Sequence, residues 1–134
     1  MIALDTNILV YAFDNAYPEK RDVCKKLVSN IFNGKQKGVV TNQILAEFSA
    51  VVTKKMERPL TKNEARSIVG AIISSENWVI FDYNAETVLR ALNTTKPFWD
   101  ALIIETLKQN GLSKIVTENA RHFEGSGITV INPL

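Results

Sequence analysis

The chain begins with the stretch Met1-Ile2-Ala3-Leu4-Asp5-Thr6-Asn7, an apolar run that ends on a carboxylate. We interpret the run as a buried first strand and Asp5 as the residue at its carboxyl end. Burying a carboxylate is costly unless a positive group meets it. A partner for Asp5 therefore has to come from elsewhere in the chain or from a bound cation.

Length and composition favour a single domain that spans residues 1–134, since 46% of the residues are hydrophobic. No apolar run reaches the ~20 residues of a membrane span, and Asp5 interrupts the N-terminus too early for a signal peptide. The single cysteine, Cys24, excludes an internal disulfide and is typical of the reducing cytosol, so we expect a cytoplasmic protein. The formal net charge of +2 neither indicates nor excludes a nucleic-acid partner.

Short apolar runs that predict strands alternate with segments of helical spacing. Helix starts are indicated by Pro18, Thr41, the capping box Thr61–Glu64 and Pro97. The predicted strands cover residues 1–4, 39–41, 78–81, 114–117 and 128–131. This alternation predicts an α/β three-layer sandwich, in which helices flank a mainly parallel central sheet. Ligands of such sheets bind outside the carboxyl ends of the strands.

Two further acids lie on apolar helical stripes. Glu47 shares a helix face with Ile44 and Val51, and Asp100 lies on the apolar face of a later helix. Each acid alone has an ordinary explanation: Glu47 as a solvated rim residue, Asp100 as a first-turn acid, Asp5 as a turn cap. All three would have to reach one edge of the sheet by coincidence, and this favours a common site.

Three converging carboxylates need a counter-charge. Two carboxylates about 4 Å apart repel by roughly 4 kcal/mol at an effective dielectric constant near 20. A divalent cation removes this repulsion, and an all-oxygen ligand set favours Mg²⁺ or Mn²⁺. Such a site suits metal-assisted attack of water on a phosphodiester.

Four motifs stand out: Leu4-Asp5-Thr6-Asn7, the mid-helix Glu47, Phe98-Trp99-Asp100-Ala101-Leu102-Ile103, and Ile131-Asn132-Pro133-Leu134. Together they resemble a PIN domain, most closely the VapC-type toxins of bacterial and archaeal toxin–antitoxin pairs. The resemblance runs nearly end to end, and it is most specific in the Phe-Trp-Asp-Ala-Leu-Ile stretch. It implies a parallel sheet between helices, divalent-metal-dependent endoribonuclease activity, a homodimer and a small cognate antitoxin.

The resemblance also implies roles for individual residues. Asp5, Glu47 and Asp100 would bind Mg²⁺ or Mn²⁺ and form the catalytic centre. Asn7 and Thr117 would orient water or a ligand carboxylate.

One position departs from the family pattern. The family often has a fourth acid two residues after the position of Thr117, and this chain has Asn119 there, preceded by Glu118. We include Asn119 among the catalytic residues because its oxygen can still hold a metal or a metal-bound water, although it brings no charge. The number of metal ions, one or two, stays open. Glu118 supports the site only if the turn rotates it inward. For His122 there are two interpretations, a contact with the site or a substrate phosphate and a solvated surface residue, and we favour the second.

Basic residues downstream of Glu47 are candidates for RNA binding. They are Lys54, Lys55, Arg58 and Lys62. Plain solvated helix ends are an equally good interpretation of these four.

Other protein classes fit less well. Haloacid-dehalogenase-type phosphatases also place an Asp after the first strand, within a motif of the form Asp-x-Asp followed by Gly-Thr. In this chain Asn7 occupies the position of the second Asp, and no Gly-Thr follows. A signalling receiver domain needs an acidic pair after its first strand and a phosphoacceptor Asp at the end of a middle strand. Val40-Thr41-Asn42 supplies neither. A non-catalytic PIN-like module that binds a partner stays open because of Asn119.

Overall fold

The computed structural model describes residues 1–134 as alternating strands and helices. The strands are β1 (Ile2–Leu4), β2 (Gly38–Thr41), β3 (Trp78–Phe81), β4 (Lys114–Val116) and β5 (Thr129–Ile131). The helices are α1 (Thr6–Tyr11), α2 (Pro18–Phe32), α3 (Asn42–Lys54), α4 (Lys62–Ser74), α5 (Ala85–Leu92) and α6 (Phe98–Gln109), with a 3₁₀ helix at Ala120–Phe123. None of the helices combines the length and the apolar character needed to cross a lipid bilayer.

The five strands form one sheet in the order β3-β2-β1-β4-β5, and every pairing is parallel. All residues of β1 and β2 are buried, without the alternation of a strand that faces water on one side. Both faces of the central strands are therefore covered by helices. This architecture confirms the predicted α/β class and makes the sheet wholly parallel.

The sequence signals that predicted the helix starts correspond to real caps. The Thr41 hydroxyl accepts from the Ile44 N–H at the start of α3, and Thr61 forms a reciprocal capping box with Glu64 at the start of α4. These bonds satisfy backbone donors that have no partner within the helix. At the end of α2, Gly34 has φ +79°, a left-handed conformation that suits glycine after a helix.

The hydrophobic core is centred on β1 and the helices that pack on it. One cluster of 26 buried residues includes strand residues and the inward faces of α1, α2, α3 and part of α6. A small second cluster, Ala91, Ala101 and Leu102, lies between α5 and α6. Since β1, β2 and β4 are adjacent and parallel, their carboxyl ends bring Asp5, the start of α3 and Thr117 to the same edge of the sheet.

Candidate active site

A cleft of about 360 Å³ opens at this edge, and all three predicted acids line it. We call it the acid cleft. Its walls come from α1, α3, α6 and the 3₁₀ helix after β4. Its lining residues are Asp5, Thr6, Asn7, Val10, Tyr11, Gln43, Glu47, Val51, Trp99, Asp100, Ile103, Asn119 and His122.

Asp5 is the N-cap of α1 and is held through both carboxylate oxygens. Oδ1 accepts from the Thr6 N–H at 2.8 Å, and Oδ2 accepts from the Thr117 hydroxyl at 2.7 Å. Only 7% of Asp5 is exposed. Burial raises the pKa of its carboxyl, the hydrogen bonds from Thr117 and Thr6 lower it, the charge of Glu47 raises it, and His122 lowers it. Asp5 is thus an ordered carboxylate whose charge is costly to bury without a positive partner.

Glu47 is ordered by two side chains from different elements. Its Oε2 accepts from the Thr6 hydroxyl at 3.2 Å, and its Oε1 accepts from Gln43 Nε2 at 2.6 Å. Thr6 therefore joins the two acids, since its backbone N–H binds Asp5 and its hydroxyl binds Glu47. Gln43 is four residues before Glu47 on α3, the spacing at which helical side chains meet.

Gln43 also connects α3 to the first turn of α6. Its Nε2 donates a second hydrogen bond, at 3.0 Å, to the main-chain carbonyl of Trp99, the residue before Asp100. The other amide atom, Oε1, is buried and has no hydrogen-bond partner in the protein. An unsatisfied buried acceptor costs about 1–3 kcal/mol. The side chain keeps this orientation because Nε2 donates its two hydrogen bonds to Glu47 and Trp99.

Asp100 lies in the first turn of α6, as the sequence predicted, and faces His122 across the cleft. The distance between Asp100 Oδ1 and His122 Nδ1 is 3.3 Å. His122 is on the 3₁₀ helix, and its side chain is half exposed. The interpretation of His122 as a plain surface residue was wrong, because it lines the acid cleft and contacts an acid.

Thr117 lies beneath the cleft and is completely buried. Besides donating to Asp5, its hydroxyl oxygen accepts from Asn7 Nδ2 at 3.3 Å and from the Asn119 N–H at 3.0 Å. Asn7 accepts in turn from the Glu118 N–H at 3.4 Å. Asn7 and Thr117 thus both contribute to the order around Asp5, while the Asn119 side chain lines the cleft.

Glu118 does not turn toward the acids. Its carboxylate forms an ion pair with Lys20 of α2 and accepts from the Tyr11 hydroxyl at 2.7 Å. The Lys20 ammonium lies 4.9 Å from the centre of the Tyr11 ring. The hydrogen bonds from Lys20 and Tyr11 lower the pKa of Glu118. Glu118 therefore supports the outer wall of the cleft through Tyr11, and the expectation that it compensates for Asn119 finds no support in its contacts.

The candidate RNA-binding residues lie outside the cleft. Lys54, Lys55, Arg58 and Lys62 are all exposed, and none forms an ion pair. Lys54 is seven residues after Glu47 on α3, so the two side chains share a helix face about 10 Å apart.

Sequence reasoning missed several residues of the site. Gln43 could have been found from its helical spacing to Glu47. Lys20 could not, because its partner Glu118 is 98 positions away. Trp99 belongs to the Phe98–Ile103 motif and His122 follows the Thr117–Asn119 turn, but neither was predicted as a site residue.

The model of the PIN domain family matches residues 2–125. The chain therefore belongs to the PIN domain family, as the motifs predicted. No curated protein sequence matches the chain.

Solved toxin–antitoxin structures share the fold. VapC20 of Mycobacterium tuberculosis, a Sarcin-Ricin loop cleaving toxin, is 16% identical with a TM-score of 0.63, and the match covers 86% of this chain and 87% of that one. VapBC2 from Rickettsia felis, bound to a DNA fragment from its promoter, is 21% identical with a TM-score of 0.65 over 98% of each chain. FitAB bound to the IR36 DNA fragment is 20% identical with a TM-score of 0.65, over 99% of this chain and 95% of that one. At these identities the likeness is one of fold.

Proposed function

We propose that this single PIN domain, residues 1–134, is a divalent-metal-dependent endoribonuclease and the toxin of a toxin–antitoxin pair. The observation that carries the proposal is the acid cleft, into which three carboxylates project from α1, α3 and α6. Membership of the PIN family and the VapC-type fold add support.

The donor chemistry of the cleft fits a hard divalent ion. Asp5, Glu47, Asp100 and the Asn119 amide offer only oxygen ligands, which suit Mg²⁺ or Mn²⁺. No three of the His, Cys, Asp and Glu side chains stand close enough together to form a ready-made metal cluster. Asp5, Glu47 and Asp100 would hold the ion. When bound, it would supply charge neutralisation at the scissile phosphate and an activated water.

The residues around the acids keep them ready for this role. Thr6 and Thr117 fix both oxygens of Asp5, and Gln43 fixes Glu47 against the start of α6. His122 Nδ1 lies 3.3 Å from Asp100 Oδ1 on the opposite wall. These hydrogen bonds fix the orientation of Asp5 and Glu47, while the three acids have to move closer together to share one ion.

RNA is the substrate that we propose, and VapC20 is described as a toxin that cleaves the Sarcin-Ricin loop. The unpaired cations Lys54, Lys55, Arg58 and Lys62 would attract its phosphates. The partner that we propose is a small antitoxin, because VapBC2 and FitAB are complexes of this kind bound to DNA fragments. We propose a homodimer that acts in the cytoplasm.

Chelation tests the metal requirement. We expect EDTA to stop cleavage of a mixed RNA pool and Mg²⁺ or Mn²⁺ to restore it. Asp100→Asn should lower the cleavage rate on the order of a hundredfold or more, because it removes a charged ligand. The matched control is Asp22→Asn, an exposed acid on α2 that lies outside the cleft and should cut like wild type.

Two results would contradict the proposal. Activity that survives exhaustive chelation would exclude the metal, and wild-type rates in Asp100→Asn would exclude the site. If the wild-type protein cut no RNA with either metal, the alternative of a non-catalytic PIN-like module would take its place.

A further inference from the structure

A second groove adjoins the acid cleft. It has a volume of about 460 Å³ and is lined by Gln43, Ala46, Glu47, Ala50, Tyr83 and Trp99. We call it the aromatic groove. It shares Gln43, Glu47 and Trp99 with the acid cleft, so the two spaces adjoin along these three residues. A nucleotide chain that crosses this shared rim contacts both.

The floor of the aromatic groove is made of small side chains. Ala46 and Ala50 are one helical turn apart on α3, and both are exposed. Larger residues at these two positions would fill the groove.

Trp99 and Tyr83 form the walls of the aromatic groove. The Trp99 side chain is 62% exposed, which is unusual for a large apolar group. Its ring is supported by an edge-on contact with Phe98, with ring centres 5.2 Å apart. An exposed aromatic face that is held in place is the feature on which proteins stack unpaired RNA bases.

Both walls are tied to the start of α3. Asn42 Oδ1 accepts from the Tyr83 N–H at 3.0 Å, and Gln43 Nε2 donates to the Trp99 carbonyl at 3.0 Å. Consecutive residues of one helix thus fix the backbones of both aromatic residues beside Glu47. Gln43 itself lines the groove and is 4% exposed as a residue.

We propose that the aromatic groove is a nucleobase subsite. The base of a nucleotide that flanks the scissile phosphate stacks on Trp99, above Ala46 and Ala50, while the phosphate lies in the acid cleft. The inference rests on the proposed ribonuclease function and adds to it a site that reads an unpaired base. The substrate is accordingly single-stranded at the cleavage point.

The first test uses abasic RNA. A single-stranded oligonucleotide that the wild-type protein cuts is remade with one abasic ribose at each position around the cut. We expect kcat/KM to fall roughly tenfold at one flanking position, the effect of losing one base–aromatic stack, with small effects elsewhere. Equal rates at every abasic position would overturn the subsite.

Variants then locate the effect in the groove. Trp99→Leu should cut intact RNA about as slowly as the wild-type protein cuts the abasic substrate, and the abasic penalty should disappear. Trp99→Phe keeps an aromatic face and should keep the penalty. Because Gln43 binds the main chain of Trp99, both substitutions leave that hydrogen bond in place.

A variant that fills the aromatic groove gives an independent test of the nucleobase subsite. Ala46→Leu should also abolish the abasic penalty, whereas Ala71→Leu, the same change at an exposed position of α4, should behave like wild type. An abasic penalty that persisted in Trp99→Leu and Ala46→Leu would overturn the proposal.

A binding measurement separates stacking from turnover. In a cleavage-inactive Asp5→Asn protein, RNA should quench the fluorescence of exposed Trp99, while buried Trp78 gives a constant background. The abasic oligonucleotide should quench less. If a second copy of the chain covers the groove instead, Trp99→Leu will change the molar mass in light scattering and leave the abasic penalty unchanged, which contradicts the subsite.

The outcomes for the subsite and for the proposed function are distinguishable. A wild-type protein that cuts no RNA overturns the proposed function and the subsite together. Cleavage without base dependence overturns the subsite alone.

Discussion

The Thr117 hydroxyl makes three hydrogen bonds at the centre of the site. It donates to Asp5 and accepts from Asn7 and from the backbone of Asn119. Thr117→Val keeps the shape of the side chain and removes all three bonds. We expect the free energy of unfolding in urea to fall by about 1–3 kcal/mol, because buried polar groups lose their partners. Thr117→Ser, which keeps the hydroxyl, should lose less.

The same variant should show a defined pH dependence. Burial raises the pKa of Asp5 above its ordinary 3.8, and the Thr117 hydrogen bond opposes that rise. Without the hydroxyl the folded-state pKa climbs further, so ionised Asp5 costs more stability at neutral pH. The stability gap between Thr117→Val and wild type should therefore narrow as the pH falls through the raised pKa toward 3.8. A gap independent of pH would mean that the hydrogen bond from Thr117 to Asp5 does not contribute to stability.

Asn119 is the residue at which the family pattern and this chain differ. It lines the acid cleft, so Asn119→Asp adds a negative charge beside the other acids. In metal-free protein the change should lower the Tm through repulsion. With Mn²⁺ the Tm should rise more than in wild type, because the added carboxylate strengthens ion binding.

The control for Asn119→Asp is Asn63→Asp, the same change at an exposed position of α4. That variant should show the wild-type response to Mn²⁺. An equal metal-induced rise in Asn119→Asp and wild type would remove Asn119 from the metal site.

At the scale of elements, replacing two glycines by alanine is expected to have opposite effects on the free energy of unfolding. A Cβ on Gly38 of β2 would lie 2.7 Å from Ile31 Cδ1, and one on Gly70 of α4 would meet nothing within 4 Å. Gly38→Ala should lower the free energy of unfolding by about 1–3 kcal/mol through overpacking. Gly70→Ala should raise it by about 0.5–1 kcal/mol, since alanine restricts the unfolded chain and favours the helix. Urea titration of both proteins measures the contrast, and a stable Gly38→Ala would show that α2 can shift away from the sheet.

The elements themselves were largely predictable from local sequence. Caps, prolines and short apolar runs act within a few residues, and the structure confirms the strands and the starts of α3 and α4. The buried face of α5 was not predictable. Its leucines, Leu89 and Leu92, are 61% and 65% exposed, while Thr87 is buried. Thr87 is tolerated there because its hydroxyl donates to Gln109 of α6 at 2.6 Å, a partner that local sequence does not reveal.

In the acid cleft, too, some residues were predictable from local sequence and others were not. Asp5, Glu47 and Asp100 could be grouped because strand ends and helix faces have regular periods. The contacts of Lys20 with Glu118 and of Asp100 with His122 arise from the packing of distant segments. Their pairing has no signature in local sequence.

At the scale of the whole molecule, the small net charge conceals an uneven arrangement. The unpaired cations Lys54 and Arg58 follow Glu47 in the chain. Lys35 precedes β2 and Lys114 begins β4, so both lie at the edge of the sheet opposite the acid cleft. We expect Lys54→Ala combined with Arg58→Ala to weaken binding of single-stranded RNA. The slope of log K against log salt concentration should become shallower by up to about 0.7 for each phosphate that the protein no longer neutralises.

The control is the double variant Lys35→Ala with Lys114→Ala, which removes the same charge from the other edge. Binding is measured in the Asp5→Asn background over a range of salt concentrations. Identical salt slopes for the two double variants would show that total charge, rather than the cations near the acid cleft, governs RNA binding.

The position of β1 also determines when the site can exist. β1 is the first strand to be synthesised and the central strand of the sheet, and Asp5 depends on a hydroxyl 112 positions later. A growing chain on the ribosome therefore exposes Asp5 and Glu47 long before Thr117 and His122 emerge. The site is complete only after the segment that carries Thr117 and His122 has emerged, so we expect chains that stop before Thr117 to lack it. We therefore expect the proposed nuclease activity only in chains that contain this segment.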